Sequence, residues 1–218
     1  MIIAFFGKKG VGKTTAANYL RDIHGFQKFS FADDLKEMIV KAGLCTPEEM
    51  KSKSPFVRTY LQKIGTDIFR KQVDEDFWVR KARPKLQELI NSYNFTVVDD
   101  LRFLNEVALL EEFKPVYFVE ILRPIEGDYD WHISEQFSMS TPFVIMNDSH
   151  IETFLAKIDE VTKLLLRNLI RFDIEYVCNA ILNFHGTRCY CTACNKAKSI
   201  KEEIAFQKHL NNFTGGKE

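Results

Sequence analysis

The chain has 218 residues, 45% of them hydrophobic and 28% charged, and its 30 basic and 30 acidic side chains cancel to a formal net charge of zero. This is ordinary globular composition, and the charge balance argues against a surface given over as a whole to nucleic acid or membrane. The apolar stretch Ile2 to Phe6 is too short for a signal peptide, and no window approaches a spanning helix. The expectation is a soluble, cytoplasmic protein without membrane partners.

In chain order, Ile2 to Phe6 is a short apolar run that ends at a glycine and reads as a buried strand. Thr14 to His24 reads as a helix, and Gln27 to Phe31 as a second strand. Asp33 is placed to cap a helix through Ala42, with Gly43 as its stop. Residues 56–72 and 75–91 read as two further helices. Phe95 to Val98 is a strand that ends in Asp99 and Asp100. Leu104 to Phe113 is a helix, Val116 to Leu122 a strand and Phe143 to Met146 a fifth strand. Ile151, Phe154, Leu155, Ile158, Val161, Leu164 and Leu165 recur at helical spacing, which predicts an amphipathic helix over 150–168. Five apolar strands alternating with helices predict an α/β fold with a parallel sheet covered on both faces. The alternation stops near Arg171, which divides a core at 1–170 from an extension at 171–218.

Gly7-Lys8-Lys9-Gly10-Val11-Gly12-Lys13-Thr14 matches the phosphate-loop pattern G-x-x-x-x-G-K-[ST] at every fixed position. Gly10 and Gly12 let the backbone fold around phosphates, and the following helix offers the anion its positive end. Gly7, Gly10, Val11, Gly12, Lys13, Thr14 and Thr15 are therefore the expected ATP-binding residues. Lys13 would reach the β- and γ-phosphates, and the Thr14 hydroxyl would ligate Mg2+. Such a loop also needs a carboxylate at the end of a neighbouring strand. Asp99 and Asp100 stand there, with Asp100 favoured.

Phosphoryl transfer needs alignment and charge neutralisation, with little covalent help from the protein. Arginine suits a phosphate because its planar fork binds oxygens in pairs. Arg102 directly follows the acidic pair, at the carboxyl end of a strand, where ligands of open α/β sheets bind. Arg58, Arg70 and Arg123 are further candidates. Lys13, Arg102, Arg58 and Arg123 are the expected catalytic set. Lys36, one turn into its helix, is placed to approach an acceptor.

Several blocks together resemble the deoxynucleoside monophosphate kinases of bacteriophages. They are Phe31-Ala32-Asp33-Asp34-Leu35-Lys36, Leu61-Gln62-Lys63-Ile64-Gly65-Thr66-Asp67, Asp76-Phe77-Trp78-Val79, Val98 to Glu106, Leu122-Arg123-Pro124, His132-Ile133-Ser134-Glu135 and Ile145-Met146-Asn147-Asp148. They run in the family's order over residues 1 to about 165. The resemblance implies a P-loop NTPase fold of the NMP-kinase type with a lid, here at about 123–140. It also implies transfer of the ATP γ-phosphate to a deoxynucleoside monophosphate, in the host cytoplasm if the chain is viral. Acceptor contacts are implied for Asp33, Lys36, Arg58, Gln62, Asp67, Arg70, Trp78, Arg102, Glu106, His132 and Glu135. Trp78 fits core packing equally well. The chain departs from the family at Asp33-Asp34, where a small residue and a proline are usual.

The departure keeps a rival open: a kinase that phosphorylates a hydroxyl of a modified base in DNA, with Asp33 or Asp34 as the base. A rival from another class is a non-catalytic nucleotide-dependent switch. His185, Cys189, Cys191 and Cys194 fall within ten residues of the extension. They read as a Zn2+ site, as reduced thiols, or as a redox pair. Ser199 with Glu202 starts a helix signal that runs through Leu210. The extension is expected to fold, and a homodimer contact or a DNA contact through Arg188, Lys196, Lys198 and Lys201 are its candidate roles.

Overall fold

The computed structural model describes residues 1–52, 54–93, 95–124, 132–185, 198–202 and 205, with the backbone alone over 169–185. The chain divides into two compact units, Met1–Glu160 and Val161–Glu218.

The first unit is built on five parallel strands: β1 (Ile2–Phe6), β2 (Gln27–Phe29), β3 (Thr96–Val98), β4 (Val116–Leu122) and β5 (Val144–Met146), in the order β2-β3-β1-β4-β5. β1 is central. It pairs Ile2 with Thr96 on one side and with Val116 on the other. Side chains alternate across a strand, so Ile2, Ala4 and Phe6 share one face and Ile3 and Phe5 the other. All five are buried, as a strand covered on both faces requires. Ile2, Ala4 and Phe6 pack with Val98, Leu86, Leu109 and Leu110. Each fully buried side chain of this size contributes about 1.5–3 kcal/mol.

Helices α1 (Lys13–His24), α2 (Asp33–Lys41), α3 (Pro47–Ser52) and α4 (Pro55–Gln62) precede a wide-turned π-helix at Lys63–Val73, and α5 (Phe77–Ser92) and α6 (Leu104–Glu111) follow. Asp33 is the first residue of α2, whose N-cap is Ala32. The segment expected as one helix over 56–72 changes its winding after Gln62. α3 has no counterpart in the sequence reading. A second cluster, centred on Leu35, Ile39, Cys45 and Trp78, gathers Tyr60, Leu61, Phe69 and Phe77 from these helices. α7 runs over Ile151–His185, past the expected end near residue 168, and carries buried Phe154 and Ile158 in its first turns. In the second unit, 198–202 is helical.

Candidate active site

The loop from Gly7 to Gly12 leaves the carboxyl end of the central strand and turns into α1. Two of its glycines are required by geometry. Gly7 has φ +128, and a Cβ there would lie 2.3 Å from the Ile121 carbonyl oxygen. Gly12 has φ +110, and a Cβ would meet the Asn147 amide nitrogen at 2.9 Å. Lys13 Nζ donates to the carbonyls of Gly7 at 2.6 Å and Lys8 at 2.7 Å, so the loop is curled round its own lysine. Burial, then the charge of Arg102, lower Lys13 to about 8. An anion seated here would reverse both effects.

The two aspartates after β3 have different partners. Asp100 accepts the N–H groups of Phe31 and Ala32, each at 2.9 Å, and so holds the turn between β2 and α2. Burial and neighbouring Asp99 push Asp100 up to about 6. Asp99 accepts from Ser30 Oγ, pairs with Lys28 Nζ at 2.8 Å and lies close to the Thr14 side chain. Burial opposes ionisation of Asp99, but the bonds from Lys28 and Ser30 outweigh it and hold its pKa below the ordinary value. The sequence favours Asp100 for the metal. All four carboxylate oxygens are engaged by the protein, and what favours Asp99 is its place beside the Thr14 side chain. Lys28 and Ser30 were missed in the sequence. Their signal is the pairing of β2 beside β3, which sequence order alone does not give.

A cavity of about 740 Å³ opens from the loop. Gly10, Gly12, Lys13, Thr14 and Thr15 line one end of it. Lys36, Arg58, Arg102 and Glu135 line it beyond, and Leu35, Val57, Leu61 and Trp78 give it an apolar wall beside Gln62 and Thr66. Arg102 donates to the Ser134 carbonyl at 2.9 Å and pairs with the Glu135 carboxylate, whose Oε1 also lies 3.8 Å from Arg58. The cavity thus joins a phosphate loop to a second cluster of cations. Burial works to lower Lys36, but the charges of Asp100 and Asp33 outweigh it and raise its pKa.

Other expected residues are engaged structurally. Arg70 lines the cavity, but it pairs with Glu106, donates to Asn105 Oδ1 at 3.1 Å and lies 3.9 Å from the Phe103 ring centre. Glu106 also accepts the Arg102 N–H at 2.8 Å. Trp78 is buried and donates to the Gly65 carbonyl at 2.9 Å. Asp33 pairs with Lys36 at 2.7 Å, Asp34 with Lys85, and neither lines the cavity. Asp67 pairs with Lys71 at 2.8 Å and lies 3.7 Å from His132 Nε2, also off the lining. Arg123 is exposed after β4 and is not brought to the cavity; 125–131, most of the expected lid's first half, lies outside the described residues. So do Cys189, Cys191 and Cys194, and with them the expected zinc site. His185 ends the described part of α7, without its side chain.

A parallel sheet with a phosphate loop at its centre and a cation cluster across one cavity defines a P-loop kinase. Residues 47–158 match the family model for deoxynucleotide monophosphate kinase. A protein of Acanthamoeba polyphaga mimivirus assigned as a deoxynucleotide monophosphate kinase is 31% identical over 182 residues, covering 72% of this chain and 94% of its own length. The deoxynucleotide monophosphate kinase of Enterobacteria phage T4 is 28% identical over 112 residues, which is 50% of this chain and 46% of the phage protein. A dephospho-CoA kinase from Campylobacter jejuni is 16% identical, covers 77% of this chain and 98% of its own, and has a TM-score of 0.47. The chain belongs to the deoxynucleotide monophosphate kinase family, and it is an enzyme.

Membership implies ATP and magnesium, and the residues fit both. The loop curls round a buried lysine, and Gly10, Gly12, Thr14 and Thr15 line the cavity with it. The Thr14 hydroxyl beside the Asp99 carboxylate is an all-oxygen donor set, which suits a hard cation. No helix among the described residues is long and apolar enough to cross a membrane.

Proposed function

We propose that the enzyme transfers the ATP γ-phosphate to the 5′-phosphate of a deoxynucleoside monophosphate. The observation that carries this reading is the single cavity running from Lys13 and Thr14 to Lys36, Arg58 and Arg102, with an apolar wall fit for a nucleobase. Magnesium held through Thr14 and Asp99 would neutralise charge on the β- and γ-phosphates. Lys13 would leave the Gly7 and Lys8 carbonyls for the same oxygens. Arg58 and Arg102 would hold the acceptor phosphate in line. An anionic oxygen of that phosphate attacks the γ-phosphorus, and the bond to the β,γ-bridging oxygen breaks to release ADP. The attacking oxygen carries no proton, so the step needs no general base.

The rival acceptor, a hydroxyl on a modified base in DNA, would need one. Asp33 and Asp34 are engaged by Lys36 and Lys85 and lie off the cavity lining, which favours the monophosphate reading. The test is ADP release with ATP and magnesium across deoxynucleoside and ribonucleoside monophosphates, with single-stranded and duplex DNA as further acceptors. Turnover on a deoxynucleoside monophosphate supports the reading. A signal confined to DNA, or none on any acceptor, overturns it.

A further inference from the structure

The phosphate loop is held from outside by a residue that belongs to no part of it. Asn147 follows β5, and its backbone N–H donates to the Leu122 carbonyl at 2.7 Å, so its position is set by the end of β4. Its side-chain nitrogen donates to the Val11 carbonyl at 2.8 Å, across 136 residues of sequence. The same nitrogen lies 2.9 Å from where a Gly12 Cβ would be.

The peptide joining Val11 to Gly12 is flanked by Val11 and by Gly12, whose φ is +110. Glycine on one side leaves that peptide freer to turn than it would be between two residues with side chains. In a trans peptide the C=O and the N–H point in opposite directions. A donor fixed on the Val11 carbonyl therefore aims the Gly12 N–H the other way, away from Asn147. Gly12 lines the cavity, and its N–H is one of the loop donors that a phosphate oxygen would meet.

We infer that Asn147 is a positioning residue for ATP: by holding the Val11 carbonyl it fixes the Val11–Gly12 peptide and presents the Gly12 N–H to the nucleotide phosphates. The inference rests on the nucleotide-binding reading of the loop. It concerns the donor nucleotide alone, because the acceptor cations Arg58 and Arg102 stand on other elements.

The test compares wild type with Asn147→Ala and Asn147→Asp. The first removes the donor. The second keeps the shape but turns an acceptor toward the Val11 carbonyl. Magnesium-ATP affinity by calorimetry, KM for each substrate and the urea midpoint are measured together. The expected result is a rise in ATP Kd and KM of about fivefold or more in Asn147→Ala, larger in Asn147→Asp, from loss of one partly buried hydrogen bond. Acceptor KM, and kcat at saturating ATP, stay within about twofold, since the loss is confined to ATP binding. If Asn147→Asp fails to fold, Asn147→Ala decides alone. Unchanged ATP affinity in Asn147→Ala, beside a wild type that binds ATP, overturns the inference and leaves the functional reading intact. Equal losses for both substrates, tracking a lower urea midpoint, overturn it in favour of a merely structural role. A wild type that binds no ATP removes the functional reading and the inference together.

Discussion

The Arg70 guanidinium closes on the Glu106 carboxylate under the Phe103 ring, 3.9 Å from its centre. Both partners are almost fully buried. The pair joins the π-helix to α6 at the back of the cavity, and Glu106 passes the constraint to the Arg102 backbone. Removing one partner of such a pair leaves an uncompensated buried charge, at a cost of about 3–5 kcal/mol. Burial pushes Glu106 up to about 7, against the opposing charge of Arg70. A carboxyl whose folded pKa is raised contributes its stability in full at low pH and loses it as pH rises. Arg70→Ala removes the charge that limits this rise, so its deficit should grow with pH. Urea unfolding should find Arg70→Ala more destabilised at pH 8 than at pH 5, by about 1.4 kcal/mol at most, because pH 8 is only about one unit above the Glu106 pKa of about 7. An equal deficit at both would mean that Arg70 does not change the ionisation of Glu106 between these pH values.

Gly7 and Gly43 both have positive φ, but only Gly7 has a neighbour in the way. Gly7→Ala would drive its Cβ into the Ile121 carbonyl at 2.3 Å, backbone against backbone. The loop would have to shift, and ATP KM should rise by about tenfold or more, as when a phosphate donor is misplaced. Gly43→Ala meets nothing within 4 Å and should cost only the left-handed backbone term, about 1–2 kcal/mol, with kinetics unchanged. Matching kinetics for the two variants would count against the close approach at Gly7.

Trp78 tests the division between core and site. Trp78→Phe keeps much of the aromatic packing with Phe69 and Phe77 but strands the Gly65 carbonyl. It should lose about 1–3 kcal/mol of stability, with acceptor KM within about twofold if the indole only packs, since a bond made equally throughout turnover does not alter kcat. An acceptor KM raised more than about tenfold, from loss of a stacking surface, would show that the indole meets the base.

The parts legible in the sequence were those with a local signature. Five apolar runs between helices gave the strands, and the glycines with Lys13 and Thr14 gave the loop. α3 had a signature too: Thr46 and Glu49 exchange side-chain-to-backbone bonds at 3.1 and 2.7 Å in a capping box, ahead of Pro47. It went unread because the apolar pattern there is thin. The π-helix was not legible, since its apolar spacing continues that of α4. Nor were the pairs that decide who does what. Arg70 with Glu106, Asp99 with Lys28, and Asn147 with Val11 are 36, 71 and 136 positions apart (106 − 70, 99 − 28, 147 − 11). Only the strand order and the packing of the helices bring them together. Arg70 and Trp78 line the cavity and are also held by Glu106 and by the Gly65 carbonyl, and residue type and motif position do not show how a side chain divides between ligand and core.

In the proposed reaction Arg102 would serve the acceptor side. Its guanidinium lines the cavity beside Lys13, held by the Ser134 carbonyl and by Glu135, and its backbone N–H is fixed on Glu106. A group held this firmly is arranged before the acceptor arrives, which is where transition-state stabilisation has most effect. Arg102→Ala should lower kcat/KM for the acceptor by about 10²–10³. ATP affinity should stay within about twofold, since the loop keeps its own cation in Lys13. Arg102→Lys should recover little, because an ammonium restores the charge but not the two-pronged geometry. Kinetics with both substrates varied, beside calorimetry with ATP alone, separate the outcomes. If ATP binding and turnover fall together in Arg102→Ala, the residue belongs to the donor side and the acceptor site must be sought at Arg58 and Lys36. A variant as active as wild type would remove Arg102 from the mechanism.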